Sequence, residues 1–584
     1  MPMSWFKALE QPDEGPAAAS EAPKPFSDTV YLTKFGILPP RPGATLPIGF
    51  AADDLKEIGG DDSRLSKTSL HWLAGKPAAQ DKVQWLGLNC AACHTAQITY
   101  NGKPITIDGG PSLFDFQSFV EAVDKALTQT RASANPGADD KRWNRFASSV
   151  LGPTDDNPAN RAALLAALDK LITWEAQTAA LNRTDLRYGF GRVDAVGHIY
   201  NRILLFGGAP QPTPNASDAP VSYPHLWNIT KQSQLQWDGI VRKTAIPVGV
   251  TETDFGAMGR NTGEVLGVFG EVMIKPPVPS SSGPPDLTGF LSSVDMGSLN
   301  AMEVLLTKLQ PPPWPAEFPA PGNIDPANPA NPHLPPDQVM AAGKALFNAN
   351  CASCHTPHAT YETMKTFAAM GSENLTDEWM ACNAWAYTGA SGALTNIPDS
   401  YVSGAPVPPV TNVSTLLTTA VKGVLVGKKF EVVKVVAENF FGVTPLPRVV
   451  GPKFQPAVPL TPKQLRLQFC MNNSDNALLA YKARPLEGIW ATPPYLHNGS
   501  VPSLYYLLQP PAKRPATFAM GARVFDTMHV GYDTSPTAPG NSFTFDTSKD
   551  GNSNKGHVYG VGALTETQRL ELLEYLKGLN SPTG

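Results

Sequence analysis

The chain is 584 residues long, with 46 Lys and Arg against 51 Asp and Glu, a formal net charge of −5, and 42% hydrophobic residues. That near balance, with no long Lys/Arg run, excludes a nucleic-acid surface or an anionic-lipid patch as the organising feature, and the hydrophobic content suffices for an ordinary core. The 58 Pro and 49 Gly place much of the chain in turns and irregular loops around a helical framework.

Residues 1–45, rich in Pro, Ala and acidic groups, read as an N-terminal arm lying on the surface or partly disordered. The opening Met1-Pro2-Met3-Ser4-Trp5-Phe6-Lys7 lacks the charged start, apolar run and cleavage site of an export signal, so any such signal is expected to have been removed or to precede this numbering. Structure is expected from Leu46, and the segment Asp81 to Cys90 leads into Cys90-Ala91-Ala92-Cys93-His94. The pattern returns as Cys351-Ala352-Ser353-Cys354-His355. A Cys-x-x-Cys-His run is the attachment signature of c-type haem: two thiols one helical turn apart add across the haem vinyl groups, and the next His is placed to ligate the iron. Zinc or dithiol chemistry also fits Cys-x-x-Cys alone. The return of the full pattern in a chain with six cysteines favours two covalent haems. Haem attachment is expected outside the cytoplasm, so Cys382 and Cys470 are either a disulfide or two buried thiols.

After the first motif, Thr95 to Asp108 reads as an extended or hairpin stretch. Leu113, Phe116, Phe119, Val120, Val123 and Leu127 recur at three and four residues and predict an amphipathic helix over Ser112–Leu127. A second helix is predicted from Asn160, as N-cap, to Leu181. In Tyr188-Gly189-Phe190-Gly191-Arg192 the Gly-x-Gly has no third Gly at the required spacing and no strong strand before it, which excludes dinucleotide binding. Arg192 is a candidate partner for a haem propionate, a salt bridge with Asp194 or another acid being the alternative. His225, Trp227 and Trp237 follow in a loop-rich region. They are candidates for the distal pocket of the first haem, against the plainer reading of local core.

A helix over Gly297–Leu309 stops at Pro311-Pro312-Pro313-Trp314-Pro315. The Pro-rich residues 316–336 make the best linker. Asp337 to Phe347 predicts a helix that delivers Cys351, and Leu564–Leu579 a closing Leu-rich helix with Thr565 as N-cap and Gln568 three residues on. The apolar stretch Thr418 to Val443 is broken by Lys422, Lys428, Lys429, Glu431, Lys434 and Glu438 and cannot span a bilayer. The expected fold is mainly α and loop-rich. It comprises two tandem cytochrome c-type domains, 46–315 and 337–584, each carrying one covalent haem.

The run from Tyr481 to Leu504, with Pro494-Tyr495-Leu496-His497-Asn498-Gly499-Ser500 at its centre, resembles a block of the dihaem cytochrome c peroxidase superfamily. Together with Gly551-Asn552-Ser553-Asn554-Lys555-Gly556-His557 it is similar to the branch containing the bacterial rubber oxygenases. The resemblance implies that His94 and His355 are proximal ligands and that His497 contacts haem propionates. The peroxidases' Met ligand is replaced here by Pro510 and Pro511, and His557 matches the ligand of the oxygenase branch. His497, His529, Met520 and Met528 are its fallbacks. The peroxidase relatives carry a calcium ion between domains, and calcium stays an open question here.

The expected function is an exported, periplasmic or secreted dihaem oxidoreductase. Its first haem is open to peroxide or dioxygen, and its second is six-coordinate and relays electrons. Partners would be a small electron-donor protein or a hydrophobic small-molecule or polymer substrate. The alternatives are an electron-transfer cytochrome whose first haem is closed by His225 or His198, and a noncatalytic haem sensor.

Overall fold

Trp5 and Phe6 decide the first element. In the computed structural model, which describes residues 1–14, 22–54, 84–211, 215–243, 245–248, 251–275, 288–356, 362–401, 404–428 and 460–579, Met3–Ala8 is a helix that buries both rings. Trp5 meets Phe146 edge-on at 5.9 Å, and Phe6 lies 5.9 Å from Phe26. The expected surface arm therefore packs into a core at these residues, because two large aromatic side chains outweigh the polar, Pro-rich composition around them. Residues 81–83 of the predicted lead-in and 429–443 of the apolar stretch lie outside the described residues.

The same core takes the inner faces of two long helices. Phe116–Ala132 starts where Asp115 accepts the Ser118 amide, and Pro158–Leu181 starts at Asn157, three residues before the predicted cap, with Pro158 as its first residue. A second core draws on both halves of the sequence, with Tyr200 and Ile203 of the helix Ala195–Gly207 packed among Leu416, Ala420 and Val424 of the helix Val413–Gly427. Cys382 and Cys470 form a disulfide between the helices Trp379–Ala386 and Pro462–Asn472.

The two cysteine motifs enter the fold by different routes. The entry helix Pro336–Asn350 ends directly before Cys351 and lies against the closing helix Glu566–Lys577, whose Thr565–Gln568 capping box forms as predicted. The approach is close: a Cβ on Gly343 would lie 2.1 Å from the Glu571 carbonyl oxygen, so only glycine fits the crossing. Cys90 instead follows a strand, Gln84–Leu88, paired antiparallel with Phe50–Asp54, and the chain leaves the motif into the hairpin Thr95–Tyr100/Lys103–Asp108. The helix expected to close the first half, observed as Met296–Leu306, meets this motif at Met302, whose sulfur is 4.0 Å from that of Cys90, and at Leu306, which shares a small apolar cluster with Cys90.

These observations correct the expectation of a mainly α pair of tandem cytochrome c-type domains. The described residues are 41% helix and 14% strand, with 15 α-helices among small sheets, and the crossed-helix frame is seen around the second motif alone. The physical reason lies in the lead-in: Gln84 to Leu88 satisfies its backbone groups in a ladder with Phe50–Asp54, so no helix forms there to repeat the second half's arrangement. Among the described residues, no helix is long and apolar enough to cross a membrane.

Candidate functional site

Around the second motif the backbone turns tightly, with the Cys354 and His355 amides donating to the Cys351 carbonyl at 3.1 and 2.9 Å. The turn puts both thiols and the imidazole on the wall of a cleft with about 1510 Å³ of empty space, part of it open to solvent. The Nδ1 of His355 is 2.7 Å from the Arg484 carbonyl oxygen and donates its proton there, which leaves Nε2 as the free lone pair. Burial lowers the His355 pKa, so the ring is neutral and able to ligate.

His557 faces His355 across this cleft, with ring centroids 6.2 Å apart. Metal–imidazole bonds of about 2.0–2.1 Å, with each centroid roughly 1 Å behind its nitrogen, place two rings about 6 Å apart across one metal. Burial, then His355 and Arg514, push the His557 pKa down to about 3.

The loop carrying His557 is braced along its length. Asp377 accepts the Gly551 and Ser553 amides, Asn498 and Ser500 donate to the Ser553 carbonyl, and Arg514 donates to the carbonyls of Asn554 and Gly556. Asn374 receives the amides of His557, Val558 and Tyr559. The blocks around Asn498 and Asn552, far apart in sequence, thus meet in space. The brace holds His557 at a φ of +52°, a strained left-handed conformation for this residue.

At the same cleft His497 stacks on Tyr481 at 4.0 Å, and its Nε2 is buried without a hydrogen bond. Burial, then the nearby Arg192, lower the His497 pKa to about 3. Arg192 is fully buried; it donates to Asn552 Oδ1 at 2.7 Å, lies over the Phe545 ring, and leaves Nε unpartnered. Asp194, the alternative partner for it, accepts the Gly197 and Ala219 amides instead. The Nε of Arg484 is also buried and unpartnered. A large cleft with two thiols on one wall, two imidazoles one metal apart, and unpaired cationic nitrogens nearby fits a covalent haem with its propionates. Sequence reasoning assigned Arg484 no role. Its signal was Pro485, which forces extended backbone on the preceding residue and frees its carbonyl from any helix.

The first motif sits in different surroundings. Ser112 and Gly109 donate their amides to the carbonyls of Cys93 and His94, and Tyr223 lies edge-on to His94 at 6.2 Å. Burial raises Cys90 to about 11 and Cys93 to about 12. It lowers His94 to about 4, with the Pro224 carbonyl pulling the other way. The Nδ1 of His94 closes no hydrogen bond.

His225 and Trp237, predicted for the first haem's pocket, line the cleft beside the second motif. Trp227 is fully buried, stacks on His225 at 4.5 Å and donates Nε1 to the Glu487 carbonyl. His198 lies edge-on to Phe116 and Tyr188. Of the fallback ligands, His497 alone lines the cleft; His529 pairs with Asp526 at 2.6 Å, Met520 is core, and Met528 is exposed. Among the described residues, no group of three or more His, Cys, Asp or Glu converges to hold an ion.

A family model described as "RoxA-like, cytochrome c-like" matches residues 480–519, the segment that runs from Tyr481 through Arg484 and His497. The chain belongs to this RoxA-like family. It is 31% identical over 99% of its length, and 89% of the relative's, to "Uncharacterized protein y4iJ" of Sinorhizobium fredii (strain NBRC 101917 / NGR234). A second relative there, "Uncharacterized protein y4iM", is 25% identical over 61% of this chain and 63% of its own. Only one cytochrome c-like segment is matched, in keeping with the single crossed-helix frame. RoxA-like membership makes the protein a haem c oxidoreductase in class.

Proposed function

We propose that the chain holds two covalent haem groups, the second closed on both faces by His355 and His557 and the first, at Cys90, Cys93 and His94, accessible on one face. The observation that carries this reading is the 6.2 Å opposition of His355 and His557, set against a tyrosine edge as the ring neighbour of His94 among the described residues. Bound haem supplies electron relay at the closed site and reaction with peroxide or dioxygen at the open one.

The protein's own residues do the rest. The Arg484 carbonyl fixes the His355 tautomer and raises its basicity. The braced loop holds His557 in place without further reorganisation. Arg192, Arg484 and His497 offer nitrogens to carboxylates of the bound group. The Cys382–Cys470 disulfide supports an oxidising compartment, hence periplasmic or secreted protein. A small electron-donor protein or a hydrophobic substrate is the partner this chemistry calls for.

The test is haem stoichiometry by pyridine haemochrome, followed by cyanide titration of the oxidised protein. Two haems per chain are expected, with cyanide altering one. Two haems that both ignore cyanide would leave an electron-transfer cytochrome, and pigment stripped by acid-acetone would end the covalent reading.

A further inference from the structure

One residue touches the surroundings of both motif histidines. The carbonyl of Arg484 accepts the Nδ1 proton of His355 at 2.7 Å, while its Nη2 donates to the carbonyl of His225 at 2.6 Å. The segment around His225 is the one that meets His94. Tyr223 lies edge-on to the His94 ring, the Pro224 carbonyl acts on it, and the Leu226 amide donates to Gly109, whose own amide donates to the His94 carbonyl. Arg484 is 5% exposed and its guanidinium lies 5.6 Å from the centre of the Trp237 ring. Trp237 in turn donates to the Ser222 carbonyl, at the start of the same segment. The connection from His355 to His94 thus runs through Arg484 and residues 222–226, largely by way of backbone carbonyls that cannot be exchanged by substitution.

We propose that Arg484 is a positioning residue that ties the His355 imidazole to the segment holding His94, so that a change of ligation at one motif alters the other. This rests on the two-haem reading above. A guanidinium suits the task because its planar fork keeps a fixed orientation between the His225 carbonyl and the Trp237 ring, whereas an ammonium on a flexible stem does not.

The experiment uses the full-length holoprotein as wild type, Arg484→Gln and Arg484→Lys, each with haem stoichiometry measured first. Cyanide is added to the oxidised protein, and the low-spin electron paramagnetic resonance lines of the second site are followed. Cyanide bound at the first site is expected to shift those lines in the wild type. The shift is expected to be lost in Arg484→Gln and weakened in Arg484→Lys, which keeps the charge and loses the fork. If Arg484→Gln fails to load both haems, Arg484→Lys carries the test. A shift of wild-type size in a fully loaded variant overturns the coupling role, as does a wild type in which cyanide binds and the second site's lines stay put. Fewer than two haems in the wild type overturns the two-haem reading, and two haems without cyanide binding overturn the open first site; either result takes the coupling with it.

Discussion

The two five-residue motifs are nearly identical in sequence and differ in almost everything around them. His355 comes off a helix, closes its Nδ1 on a carbonyl and looks across a cleft at a second imidazole. His94 comes off a strand pair, has the Pro224 carbonyl near its ring without a well-formed hydrogen bond at Nδ1, and has a tyrosine edge beside it. The motif fixes where a haem is attached. The groups opposite the imidazole, contributed from distant parts of the chain, fix what the attached group can do.

The strongest way to break this comparison is to remove attachment at one side. Cys90→Ser/Cys93→Ser and Cys351→Ser/Cys354→Ser are each expected to halve the covalent haem per chain, measured as haemochrome after acid-acetone extraction. Loss of both haems from either variant would mean the sites are not separable. Next comes His557→Ala, which is expected to convert the second site from low-spin to a form that binds cyanide, so that both sites then titrate. A second site still closed in this variant would assign the ligand elsewhere, with His497 the first to try.

A smaller effect is expected from Gly343→Ala. The new Cβ would press on the Glu571 backbone at 2.1 Å, and overpacking of this kind costs about 1–3 kcal/mol. Urea unfolding should show this loss, with the second site's spectrum loosening before the first. Equal loosening at both sites would count against a frame private to the second motif.

The mildest effect is on pH dependence. Burial raises Asp124 to about 7 and Asp194, Asp238 and Asp377 to about 6. The folded chain then keeps protons that the unfolded chain releases near a pH of about 4. Stability from these groups is therefore complete below that value and is lost as pH rises through 6 to 7. The buried His94, His497 and His557, held down to about 4, 3 and 3, act in the opposite sense, so the check is the difference between Asp377→Asn and wild type. The thermal midpoint of the variant should gain on that of the wild type as pH rises through 6, and a difference that stays level would contradict the assignment.

What could be read from the sequence was local. The hairpin over Thr95–Asp108, the entry helix before Cys351 and the Thr565 capping box follow from periodicity and end signals within a dozen residues. What could not be read depends on distant partners. Trp5 is core because Phe146 is there to receive it, and Arg192 hydrogen-bonds Asn552, 360 residues on, while among the described residues it forms no salt bridge with Asp194. The tandem architecture fails for a related reason: a repeated motif does not bring a repeated scaffold with it, since the pairing of Gln84–Leu88 with Phe50–Asp54 is a nonlocal choice.

The loop that presents His557 is fastened by side chains from residues 374, 377, 498, 500 and 514, and its Asn552 by Arg192. Arg192 comes from the first half of the chain and the other anchors from the second, so the loop can lock only after these two regions have come together. The colour of a haem at the second motif would therefore gauge that joining. During refolding its low-spin bands should appear last, after secondary structure has returned.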